Sequence, residues 1–126
     1  MASIIRTKTF IKYARIKLQE AESAIQEEEL SKAIKLCKDC GINLIKALVN
    51  FVDGYDIERV LNNRSTLLKL LTDLTGDKKE AQSTCNDLLS LKEIKEDITP
   101  SRKESEQMFS KAGKLFTTIH SYCFPE

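Results

Sequence analysis

Apolar residues recur every three to four positions along almost the whole chain, the spacing that lines one face of an α-helix. The first stripe, Ile4, Ile11, Ala14, Leu18, Ala21 and Ile25, predicts a helix over roughly residues 3–27. The second comprises Leu30, Ala33, Cys37, Cys40, Gly41, Leu44, Ala47, Leu48 and Phe51, over about residues 30–52. Its width predicts the most buried helix of the set. "DGYD" at 53–56 breaks it, with Gly54 as the expected left-handed cap.

A third segment, about residues 56–75, carries Ile57, Val60, Leu67, Leu71 and Leu74 and ends at Gly76. Asp77 and Glu80 have capping-box spacing for a fourth, about residues 78–96, faced by Ala81, Cys85, Leu88, Leu89 and Ile94. Thr99 and Pro100 read as N-cap and first-turn proline of a fifth, with Met108, Ala112, Leu115, Ile119 and Tyr122 inward and Phe109 and Phe116 beside them. No segment alternates with period two, so no sheet is expected. "QEEELSKA" has neither Gly nor Pro, so the first two segments form either a hairpin or one helix of about 50 residues. Their faces differ in width, and Glu27 to Glu29 suit the start of a new helix, which favours the hairpin. The expectation is one all-α domain over residues 1–126, an up-down antiparallel bundle of four to five helices.

At 126 residues the chain can bury a core without disulfides or metals. Its 20 basic and 19 acidic side chains leave a net charge of +1, which argues against nucleic-acid binding by bulk attraction. No apolar run approaches the ~18 residues of a membrane span. "MASIIRTKTFIKYARIK" is basic and amphipathic like some targeting peptides, but its pattern runs on to Ile25 as an ordinary first helix does. Four cysteines without secretory features point to free thiols in the cytoplasm.

Candidate chemistry is sparse. "CKDC" at 37–40 has half the spacing of a zinc site, but it falls mid-helix on the apolar face with no second pair, so it reads as core. No metal or cofactor is expected. His120 is the only histidine; it lies at the edge of the fifth stripe beside Phe116, without a nucleophile elbow or an HExxH pair. Lys8, Lys12 and Arg15 share one ridge of the first helix, suited to phosphate contact or, as the near-zero net charge favours, a solvated face. Ile5 and Ile16 share a back face of that helix, as do Ile42 and Val49 on the second, which hints at a further packing surface such as a dimer interface.

Arg64 is the outstanding residue. It falls in the middle of the third apolar stripe, where a buried guanidinium needs a carboxylate; Glu22 and Glu104 are the expected partners. On that reading Arg64→Ala costs about 3–5 kcal/mol. The competing reading makes Arg64 part of a ligand site with His120 and Lys114.

"YARIKLQEAESAIQEEELSKAIKLCKDCGINLIKALVNFVDG" resembles the opening helix pair of HEPN domains (higher eukaryotes and prokaryotes nucleotide-binding), and "ITPSRKESEQMFSKAGKLFTTIHSYC" resembles their last helix. The resemblance implies a helical bundle, often dimeric. Many HEPN domains are RNases that use an Arg, four to six further residues, and a His. Here the positions where that Arg would precede His120 are Gly113, Lys114 and Leu115, and those where a His would follow Arg64 are Lys69, Leu70 and Leu71. The resemblance therefore implies a non-catalytic member that binds a nucleotide or pairs with a nucleotidyltransferase subunit. The expected function is a non-enzymatic interaction module with a second copy or a helical protein as partner. Two alternatives stand beside it: a nucleotide-binding protein or RNase built on Arg64 and His120 in a shared cleft, and a helical-hairpin peptide-binding adaptor.

Overall fold

The structure, a computed structural model, describes residues 2–95 and 97–125. It is an all-α bundle of six helices, with no strand among the described residues: α1 (Ile4–Gln26), α2 (Leu30–Phe51), α3 (Ile57–Asn62), α4 (Arg64–Thr75), α5 (Lys78–Lys92) and α6 (Arg102–Cys123). The expected third segment divides into α3 and α4, because Asn63 takes an extended conformation and its side chain accepts hydrogen bonds from the Ser65 and Thr66 N–H groups. An N-cap in mid-segment restarts the helix.

α1 and α2 form a hairpin. The Glu28 N–H donates to the Ile25 carbonyl (3.1 Å) and the Glu29 N–H to the Ala24 carbonyl (2.8 Å), the double bond of a Schellman motif. The left-handed residue of that motif is Glu28, with φ of 62°, where glycine is usual. Gly76 ends α4 in the left-handed conformation, whereas α2 is capped by the extended Val52, and Gly54 takes its positive φ two residues beyond that cap. Asp77 caps α5 through the Lys79 and Glu80 N–H groups, but the Glu80 carboxylate turns to the Tyr122 hydroxyl instead of closing a box. α6 begins two residues later than Thr99 and Pro100 predict. Ser101 caps it because Ser101 and Glu104 complete a reciprocal capping box, two satisfied donors against the one that Thr99 offers.

α2 is the most buried helix, as its width predicts. Ile34, Leu36 and Ile45 are buried in addition to the expected face, because α1, α5 and α6 all pack on it and α3 crosses its end. The Ser3 N–H donates to the Asn50 carbonyl (2.7 Å), tying the start of α1 to the end of α2. At the opposite end the Arg102 guanidinium reaches the Ile25 carbonyl (3.4 Å) and the Glu28 carboxylate. α2 and α6 therefore run parallel to each other and antiparallel to α1. The α4–α5 hairpin closes the remaining side, its end held by Lys38 Nζ on the Ile94 carbonyl (3.0 Å).

The inward stripes are largely as expected, with one correction at Ile4, which is 51% exposed. The first turn of α1 presents Thr7 inward instead, its hydroxyl satisfied by the Ser3 carbonyl at 2.7 Å. Leu70 and Leu91 join the core.

At Gly41 α2 and α5 pack closely. A Cβ there would stand 2.8 Å from the Leu91 Cβ, inside any ordinary carbon–carbon contact. Gly41→Ala gains ~1 kcal/mol of helix propensity but overpacks the interface at ~1–3 kcal/mol. The expected net is a loss, read as a lower urea midpoint at unchanged slope. An equal or higher midpoint would show that the α2–α5 spacing does not depend on this glycine.

Candidate functional site

Arg64 is not a buried charge. It is the first residue of α4 and exposed, with its guanidinium donating to Asn86 Oδ1 on α5. The break at Asn63 shifts the helical phase, so Val60 and Leu67 stay inward while Arg64 turns to solvent. Neither expected carboxylate pairs with it. Glu22 is exposed on α1 and Glu104 serves the Ser101 capping box.

The three residues expected to form one ligand site stand apart. Lys114 lines a cleft of 550 Å³ between α5 and α6, where Glu80, Asp87 and Lys111 also face. Its charges balance, and two of its polar groups are bonded to neighbours outside it: Lys111 Nζ donates to Ser90 Oγ at 2.9 Å, and Glu80 accepts from the Tyr122 hydroxyl at 2.7 Å. Burial and the Glu80 carboxylate hold the Tyr122 phenol up at about 12. Arg64 lines neither this cleft nor the one that holds His120.

His120 belongs to a smaller groove of 230 Å³ between α1 and α6, lined by Lys8, Ile11, Lys12, Arg15, His120 and Phe124. Because α1 and α6 are antiparallel, the basic first half of α1 meets the aromatic second half of α6. Phe116, His120 and Phe124, four residues apart, form a row of mutually tilted rings along the α6 side, with centroids 5.9 Å and 5.5 Å apart. Lys8 Nζ lies 6.0 Å from the Phe124 centroid and Arg15 Cζ 5.4 Å from that of Phe116, within cation–π range. Among the described residues no carboxylate pairs with Lys8, Lys12 or Arg15. The sequence shows both halves of this groove as regular spacings, at 8, 12 and 15 and at 116, 120 and 124. Their meeting depends on helix order, which spacing alone does not convey.

All four cysteines are free and buried, and among the described residues no group of three or more metal-ligating side chains converges. Cys37 and Cys40 pack inside α2, as their apolar-face positions predict. Burial pushes the Cys37, Cys40 and Cys123 thiols up to about 12 and raises Cys85 as well, so none is a thiolate poised for attack.

Two predictions follow from these placements. Arg64→Ala should cost under about 1 kcal/mol, as an exposed polar pair does, whereas Asn63→Ala removes the cap of α4 and should cost about 1 kcal/mol or more. Denaturant melts that rank the two variants in the opposite order would restore a structural role to the Arg64 side chain. The thiols supply the second. Unfolded cysteines lose their protons near pH ~8.5, while the buried ones keep theirs to about 12. Their contribution to stability is thus full below pH ~8.5 and declines as pH rises towards 12. Urea melts under reducing conditions should show that decline, and show it reduced in the double variant Cys37→Ala, Cys40→Ala; an identical decline in both proteins would refute it.

No family model, curated protein or solved structure matches the chain.

Proposed function

We propose that the chain is a non-catalytic interaction module, HEPN-like in its helix pattern, that pairs with a second copy of itself through the solvent face of α1. The observation that carries this reading is the exposure of large apolar side chains along that one helix: Ile5 at 75%, Tyr13 at 47% and Ile16 at 38%. Ile5 and Ile16 are eleven residues apart, three turns of helix, and so point the same way. The charges on this face are arranged for a two-fold contact. Arg6 stands at its amino end and Glu20 and Glu27 at its carboxyl end, all exposed. Two α1 helices laid antiparallel, with Arg6 opposite the partner's Glu27, bring Ile16 against the partner's Ile16 at the axis and Tyr13 beside the partner's Glu20. Such an isologous contact satisfies both copies at once.

Resemblance to HEPN domains, which often dimerise, points the same way. The separation of Arg64 from His120 removes the shared cleft that the nuclease alternative requires. A cytoplasmic setting suits four buried free thiols.

Sedimentation analysis should find a dimer that weakens as salt rises. Ile16→Asp sets two carboxylates against each other across the axis and should yield a monomer of unchanged helicity. A wild-type protein that stays monomeric at every concentration measured would overturn self-pairing. In that case capture of a nucleotidyltransferase or another helical protein by the same face, abolished by Ile16→Asp, would keep only the interaction reading.

A further inference from the structure

We infer that the α1–α6 groove is a binding site for a small oligophosphate anion, independent of the pairing proposed for the outer face of α1. Lys8, Lys12 and Arg15 converge on it with His120, and no acidic side chain lines it. In the larger α5–α6 cleft, by contrast, Glu80 and Asp87 offset Lys111 and Lys114.

The cations are partly positioned in advance. Lys8 and Arg15 rest over the Phe124 and Phe116 rings, which confines two flexible side chains before any ligand arrives and lowers the entropy cost of binding. The flanking rings hold His120 between them, with its imidazole lining the groove, so a ring N–H is available as a donor to a bound oxygen. Hydrogen bonds between such charged donors and a phosphate oxygen belong to the strong class.

Extent and volume define the ligand. Lys8 and Arg15 are seven residues apart, about 10 Å along the helix, so a single carboxylate meets one cation where linked phosphates meet two or three. At about 30 Å³ per water, the 230 Å³ groove holds only a few small groups. That matches a pyrophosphate-sized anion and excludes an enclosed macromolecule.

Inorganic pyrophosphate is the probe, followed by calorimetry and by the ring-proton resonances of His120, which need no assignment because it is the only histidine. Pyrophosphate should bind with a stoichiometry of one per chain and shift those resonances. Lys12→Gln and Arg15→Gln should each weaken it about tenfold, and the double variant should abolish it. Lys35→Gln, an exposed cation on α2, should leave it unchanged. The uncharged pairing-face variant Ile16→Ser should also bind normally, which separates this site from the pairing face. Three results would overturn the proposal: no binding, an equal loss in Lys35→Gln, or unmoved His120 resonances. Tighter binding of a single-stranded RNA than of pyrophosphate, lost in the same variants, would replace a small-anion site with a backbone contact.

Discussion

α2 buries ten of its 22 residues, spread too widely around its axis for any single neighbouring helix to cover. A helix of that kind must be surrounded, and the remaining chain is arranged to do so. α1 folds back on it through the Schellman turn at Glu28, α5 approaches at Gly41, and α6 returns across the bundle to close the last side. The polar groups this burial carries inward are satisfied locally. Thr7 and Ser105 each bond to the carbonyl four residues earlier, and Thr84 meets the Tyr122 hydroxyl at 3.3 Å. No unsatisfied buried side-chain polar atom remains among the described residues.

Covering α2 also dictates what reaches the surface. To lie beside α2 and start from the Arg102–Glu28 contact, α6 must run antiparallel to α1. That direction, and no local feature of either helix, sets Phe116 beside Arg15 and Phe124 beside Lys8. The same enclosure leaves one side of α1 without a neighbour, which is where Ile5, Tyr13 and Ile16 stand. Groove and pairing face are both by-products of the packing around one helix.

Helices and most of their inward faces were legible because 3.6-residue periodicity is strong in this chain. Errors arose where a single polar residue overrides the period. Arg64 is central to a stripe only if residues 56–75 form one helix; Asn63 is the cap that restarts the turn and rotates Arg64 outward. The α1–α2 break was hard to place for a related reason. Its left-handed residue is Glu28, which carries no sequence signal for that conformation. Ile4 was misassigned because periodicity describes direction around the helix but not distance from the end of the bundle. The candidate groove was less legible still, since its two halves lie about a hundred residues apart and become one site only through the parallel course of α2 and α6.

A net charge of +1 describes the field far from the molecule, and there it does argue against long-range attraction of polyanions. Within a Debye length of about 8 Å at physiological salt, a bound group responds to its immediate neighbours instead. Arg6, Lys8, Lys12, Arg15 and Lys17 precede any acidic residue in the chain, and Glu20, Glu22, Glu27, Glu28 and Glu29 then follow before the next basic one. Summed, these ten charges cancel; laid along α1 and the turn that follows it, they leave a basic first half and an acidic end. α6 places an aromatic wall against the basic half alone. A neutral total is therefore compatible with a groove that Lys8, Lys12 and Arg15 make cationic over a few ångströms.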